Sequence, residues 1–527
     1  MLPVFCSQEV LYDTLPFVQR RSMHGALAQY IERESEGRLT SASGLLLHHF
    51  DRAGDARKTV IYAAMSGDRA AQAYANREAI DYYARGLTAL DATGDGSQSD
   101  RSLLLECIGR CLETQGRHTA ATEALIDAVG CWRQRKGSRR RRLLPSSVPE
   151  NAREAALCRR VAVSYERSSA YDEALKWLDD ASSALPARAG QVGAEVFASK
   201  SVTLYRKGEY REAIEWGQRA LAAARRTGDP AIIAYAENML AQSYMAEGGL
   251  REAVKHYGEA VRLYGEIGDT PGQAASNNNL GSCYQLMGML DAARRHYEIA
   301  LKADERVGDL VDMAIIHNNI GEILLIQGAY DEAIASLDRV LETHGAEEEL
   351  TAVAGLSYVN LCRCSMARGD LAEADRHVRG GMRLLRRVGA KGILTEARMQ
   401  LAELLIARGD LAAATRESQR ALKDAMASGD RLLEARGERI VGLARAATGA
   451  IDAAAIRIAT STGLARRIGA SHEEARSLFA LARLRIDAGG RPRTTGLRRA
   501  ASIFARMGAA PELAEAQRLL ARVEASG

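Results

Sequence analysis

The stretch LGSCYQLMGMLDAARRHYEIALKADERVGD, residues 280–309, decides how this chain folds. Leu280, Gly281 and Tyr284 share one face of a first helix, and Ala293, Tyr297 and Ala300 share one face of a second. Gly288 breaks the chain between them. Gly308-Asp309 ends the second helix and caps the next. Small residues at Gly281, Ala293 and Ala300 let two helix backbones approach, while Tyr284 and Tyr297 fill the space between units. A hairpin of this kind cannot bury its apolar face alone, so neighbours must stack.

Working outward, the same unit recurs. GEYREA (Gly208–Ala213), GGLREA (Gly248–Ala253), GMLDAA (Gly288–Ala293), GAYDEA (Gly328–Ala333), GDLAEA (Gly369–Ala374), GDLAAA (Gly409–Ala414) and GAIDAA (Gly449–Ala454) keep a period of 40 residues, with a single step of 41. Gly228, Gly268, Gly308, Gly389, Gly429, Gly469 and Gly508 keep the same beat. Upstream, Val161, Ala162, Tyr165 and Ala174 form another unit, and Ile108, Gly109, Leu112 and Ala121 a degenerate one; Tyr82-Tyr83 marks one earlier still. Arg498 to Met507 and Leu513 to Val523 read as a closing hairpin. The expected organisation is a helical junction segment (1–66), degenerate first repeats (67–130), a basic insertion read as a mobile loop (131–150) and a repeat array (151–527).

Composition agrees with an all-α chain. Of 527 residues, 47% are hydrophobic and 26% charged, which excludes gross disorder, and only 9 are proline. No run of 18 apolar residues predicts a membrane span. The first nine residues lack the basic and apolar regions of a signal peptide. Eight cysteines are too sparse for a disulfide scaffold, so a reduced, cytoplasmic setting is expected. The net charge of +4 is local: RQRKGSRRRR, residues 133–142, carries seven positive charges, and the remainder is slightly acidic. That run is the one candidate for nucleic acid, and its loop setting without aromatic interleaving reads as a solvated segment.

The repeat resembles the tetratricopeptide repeat. Its L-G-x-x-Y and A-x-x-x-Y-x-x-A spacings are met by Leu280, Gly281, Tyr284, Ala293, Tyr297 and Ala300, and again by Leu240, Ala241, Tyr244, Ala253, Tyr257 and Ala260. HEAT-type repeats have the right length but not this Gly/Ala/Tyr signature. The resemblance implies a right-handed α-solenoid of tetratricopeptide-like helical hairpins, here lengthened to 40 residues. The N-terminal stretch is similar to the junction after the nucleotide-binding module of bacterial STAND-type ATPases and class III adenylate-guanylate cyclase signalling proteins. Glu9-Val10, Tyr12, Arg20-Arg21 with His24, Leu46 to Phe50, Ala53-Gly54-Asp55, Tyr74-Ala75-Asn76 and Glu78-Ala79 carry that likeness, as does Ile503-Phe504 with Met507-Gly508-Ala509 at the far end. It implies a sensor tail. No G-x-x-x-x-G-K-[ST] loop occurs, so ATP chemistry is not expected.

Catalytic, cofactor and metal signals are absent. His48-His49 are adjacent on a helix, pointing about 100° apart, and read as one buried and one exposed histidine. Cys107 and Cys111 share a helix face without a second zinc-spaced pair; Cys362 and Cys364 read as core. No nucleophile–base arrangement is present. The chain reads as a non-enzyme that needs no cofactor and binds a protein or peptide. Asparagines carry the sharper signal. Asn238, Asn278 and Asn318 recur at 40, and Asn279, Asn319 and Asn360 at 40 and 41, all on first helices, which line the concave surface of tetratricopeptide folds. With Gln242 and Glu322 they form a candidate peptide groove, since a carboxamide both donates and accepts. The alternative is an inter-repeat lock, with the amides spent between neighbouring helices.

Overall fold

The computed structural model describes residues 12, 14–92, 97–135, 142–187, 190–344, 351–489 and 494–525. Among them lie 25 α-helices and one short 3-10 turn (Glu150–Ala152), with no strand. Within each of its two compact units, neighbouring helices pair and each pair packs on the next. The chain divides into two compact units, 1–207 and 208–527.

The second unit shows why the local sequence folds as it does. The helix Leu250–Ile267 ends at Gly268, which takes φ 72°. Asp269 N–H reaches back to Tyr264 O at 3.0 Å, closing the helix end. The Asp269 carboxylate then accepts from Gly272 N–H at 2.9 Å and caps the helix Thr270–Leu286. Asp309 does the same for Leu310–Gln327, accepting from Val311 N–H at 3.1 Å and Asp312 N–H at 3.0 Å. The glycine-acid pair is thus a complete stop and start.

Packing between Thr270–Leu286 and Leu290–Val307 depends on Gly281. A Cβ there would stand 2.7 Å from the Tyr297 ring and 3.2 Å from Ala293 O. With no side chain in the way, Tyr297 lies flat and fully buried, and its hydroxyl donates to Gln285 Oε1 at 2.8 Å. Ala293 and Ala300 are likewise buried, so the sequence register holds.

In the first unit the junction residues form one structural cluster. Arg21 Nε donates to Ala53 O at 2.6 Å, capping the end of helix Leu39–Ala53, and Asp55 accepts from Lys58 N–H at 3.0 Å to start Ala56–Gln72. Leu46, Leu47 and Phe50 fill the core beneath. Glu9 and Val10 lie outside the described residues. The reading of 131–150 as one mobile loop needs correction. Cys131–Gln134 is the last turn of helix His118–Gln134. Beyond the basic segment, the fully buried Asp100 carboxylate accepts from Leu143 N–H at 3.1 Å and Leu144 N–H at 2.9 Å. Arg133 pairs with Glu154 at 2.8 Å and Asp180 at 3.0 Å, and Arg135 stacks on Trp132 at 3.5 Å. Residues 136–141 lie outside the described residues. No helix among the described residues is long and apolar enough to cross a membrane.

Two outcomes check this account. Ala293→Leu overpacks the hairpin crossing and lowers stability by about 1–3 kcal/mol, whereas Ala412→Leu, at an exposed position, costs far less; urea unfolding midpoints compare them. The second concerns Asp304, which is buried with Oδ2 unpartnered. Burial, then Asp312 and Asp309, push its carboxyl up to about 6. A carboxyl whose folded pKa is raised costs stability once ionised, so stability falls as pH rises from about 4 to about 6. Asp304→Asn raises the melting temperature at pH 7.5 and loses that advantage below pH 4.

Candidate functional site

First helices of the second unit face its interior. The unit wraps so far round that distant hairpins meet. A Cβ on Gly248 would stand 3.2 Å from Ile468 Cβ, one on Gly288 would lie 2.9 Å from Met507, and one on Gly328 2.8 Å from Pro511. Phe504 and Met507 share one apolar cluster with Leu290 and Tyr297. Around Ile316, Ile323 and Ile326 the concave side is therefore covered by the C-terminal helices Ser471–Asp487, Thr494–Met507 and Ala510–Ala525.

The asparagines lie on these first helices as expected, and their side chains bond across repeats. Asn319 Nδ2 donates to Asn278 Oδ1 at 3.1 Å, and Asn360 Nδ2 donates to Asn318 Oδ1 at 3.2 Å. Ser276 and Ser357 hydroxyls donate to Asn238 and Asn318 at 3.1 and 3.2 Å. Asn318 and Asn360 are 2% exposed. For these two the groove reading is corrected: their amides lock one repeat to the next, because the following first helix packs directly over them. Asn238, Asn278, Asn279, Asn319 and Gln242 are half-buried.

Glu322 belongs to a different feature, a ladder of charges along the interior. Its carboxylate accepts from Gln285 Nε2 at 2.8 Å and Arg363 Nη1 at 3.1 Å. Two repeats on, Glu396 pairs with Arg436. Glu403 accepts from Arg439 at 2.8 Å and from Arg476, two repeats away, at 3.2 Å. Arg439 also donates through Nε to Glu473 at 2.6 Å, and both side chains are 4% exposed. His472 meets Glu512 at 3.3 Å. Burial alone would raise the Glu403 carboxyl, but Arg476 and Arg439 outweigh it and hold it down at about 2. Burial lowers His472 against the pull of Glu512, so it tends to stay neutral.

At one end of this ladder a cavity of about 480 Å³ opens. Ile406, Leu443, Phe479 and Phe504 give it an apolar floor; Arg476, Arg483, Glu512 and Glu515 supply its polar groups. That volume lies within the range of small-ligand and peptide side-chain pockets. Reading asparagines alone missed the ladder. Its signal was present: Glu322, Arg363 and Glu403 recur at 41 and 40, and Glu396, Arg436 and Arg476 at 40. Signs that alternate at one repeat position hide such a pattern.

Residues 232–306 and 287–347 match models of the tetratricopeptide repeat, so this part of the chain carries tetratricopeptide repeats, an architecture of protein-interaction scaffolds. No curated protein sequence matches the chain. Among solved structures, a Rap protein complexed with competence and sporulation factor is 14% identical, with a TM-score of 0.48 over 71% of this chain and 99% of that one. A signal-transduction ATPase with numerous domains and a tetratricopeptide repeat sensor, from Pyrococcus horikoshii, is 12% identical with a TM-score of 0.46, over 69% of this chain and 52% of that one. BtubC from P. vanneervenii is 20% identical with a TM-score of 0.34, over 46% of this chain and 93% of that one.

Removing Arg439 takes the guanidinium partner from the buried Glu473 and one of two such partners from Glu403. Arg439→Met lowers stability by about 3–5 kcal/mol. Arg483→Met, which removes an exposed cation 3.7 Å from Asp487, changes it by less than about 1 kcal/mol. Calorimetric melting curves of the two variants separate the cases.

Proposed function

We propose that this chain is a protein- or peptide-binding scaffold or sensor module of bacterial signalling, acting in the cytoplasm without catalysis of its own. Stacked hairpins hold the cavity on rigid helices, and one observation carries the reading: the 480 Å³ cavity joins an apolar floor to a charged rim, the chemistry of a site for an amphipathic peptide segment. The covered interior favours this mouth over a strand laid along Asn238, Asn278, Asn279 and Asn319, although their half-buried amides keep the asparagine face as the second candidate surface. The seven described cysteines are all free, which fits a reducing compartment.

A second reading has a specific observation behind it. Arg21, His24, Leu46, Phe50 and Asp55, which carry the likeness to the junction of STAND-type ATPases and nucleotide cyclases, form one packed and capped cluster. On that reading the chain is the regulatory C-terminal part of such an enzyme, with the catalytic domains on another chain or lost. A P-loop or cyclase coding region in the neighbouring reading frame supports it.

Selection of displayed random peptides against the full chain tests the scaffold reading. Leu443→Arg places a charge on the cavity floor and abolishes binding of the enriched peptides, with circular dichroism unchanged. Asn278→Ala combined with Asn319→Ala lowers the melting temperature and leaves their affinity intact. Loss of binding in the asparagine variant alone moves the site to the first-helix face. Peptides that bind every variant equally, or no enrichment at all, reject both surfaces.

A further inference from the structure

The first unit contains a convergence of histidines that the scaffold reading does not use. His24 comes from helix Phe17–Glu34; His48 and His49 come from the facing helix Leu39–Ala53. Adjacent helix residues point apart, so His48 and His49 cannot clasp an ion unaided. His24 changes this by entering the gap from across the hairpin. Its Nδ1 lies 2.8 Å from His49 Nδ1, and ring centroids are 5.1 Å apart for His24–His49, 5.9 Å for His24–His48 and 5.1 Å for His48–His49. One nitrogen from each of the three rings lies within 4.8 Å of the other two.

We infer that His24, His48 and His49 form a binding site for one divalent transition ion of the zinc class. The donor set decides the class of ion. Imidazole suits Zn²⁺, Co²⁺, Ni²⁺ and Cu²⁺, whereas Mg²⁺ and Ca²⁺ demand oxygens. Zinc–nitrogen bonds of about 2.0–2.1 Å at a tetrahedral angle separate two ligand nitrogens by roughly 3.3 Å. The His24–His49 pair therefore opens by about half an ångström to admit the ion. Tyr12 hydroxyl sits 2.6 Å from His24 Nε2, and this outer contact fixes the ring with Nδ1 facing His49. Three protein ligands leave a fourth position for water or a partner's side chain. The Arg52 charge acts on His24, and Arg20 lies 5.3 Å from the centre of the Tyr12 ring. These cations oppose a dication, so the affinity is moderate. Bound metal would clip the first hairpin shut, stabilising it in proportion to the logarithm of ion concentration over Kd.

The test uses the untagged full-length chain, stripped with chelator and titrated with Zn²⁺ by calorimetry and with Co²⁺ by visible absorption. The expected result is one equivalent bound, with a Co²⁺ spectrum of nitrogen and oxygen ligation. His48 is exposed, so His48→Ala preserves the fold while weakening binding about tenfold or more. His24→Gln removes stoichiometric binding. Three results overturn the assignment: no saturable binding at about 100 µM ion, variants that titrate like the parent chain, or a thiolate charge-transfer band placing the metal on cysteine. Each would leave His24 and His49 as a hydrogen-bonded neutral pair.

Discussion

Two helices can cross backbone to backbone only where one of them gives up its side chain, and the second unit is built on that concession. At Gly281 the missing Cβ admits the Tyr297 ring, which would otherwise be held off at 2.7 Å. The tyrosine fills the crossing and hands its hydroxyl to Gln285 of the same first helix, whose Nε2 donates in turn to Glu322 one repeat on. Close packing within a hairpin thereby sets the spacing to the next one. Removing apolar surface from water supplies the driving force, but the small residue at the crossing decides where it can be realised. The glycine-acid stops then fix the hairpin length, so every unit presents the same faces at the same offsets.

A stack with regular offsets turns, and this one turns until it meets itself. That meeting explains the charge ladder. Once Met507 and Pro511 lie against Gly288 and Gly328, the first helices lose their open side, and any charge on them must find a partner indoors. Arg439 does so with two carboxylates from the repeats before and after it. Such pairs add little net stability compared with apolar packing, because desolvation consumes most of the attraction. Their effect is on register: a repeat shifted by one position would bury an unpaired ion. The amides of Asn318 and Asn360 act in the same sense with neutral groups.

The division between what the sequence revealed and what it concealed follows from range. Gly268-Asp269 and Gly281 with Tyr297 act within about one repeat, so their spacing announces the hairpin and the stack. Contacts such as Gly248 with Ile468 depend on a small rotation per repeat, compounded several times, which no local pattern encodes. The asparagine recurrence was legible as a ladder on the first helices, but whether its amides faced a ligand or the next repeat depended on that same curvature. His24 was hidden for a related reason. Helical spacing says what shares a face within one helix, and the third histidine belongs to the helix opposite. Asp100 and its grip on Leu143 and Leu144 likewise span a segment whose composition suggested only solvent.

Closure also bears on how a protein of this design can evolve. An open solenoid gains or loses a unit at modest cost, since each repeat answers only to its neighbours. In this chain the hairpin at Gly288 answers to Met507 as well, and that at Gly328 to Pro511. Duplicating one unit between them would carry the C-terminal hairpins past their seats and leave Phe504 and the interior arginines facing water. The number of repeats between these contacts is therefore fixed by geometry. Lineages derived from this architecture are expected to vary in the residues at the cavity mouth and to conserve the count.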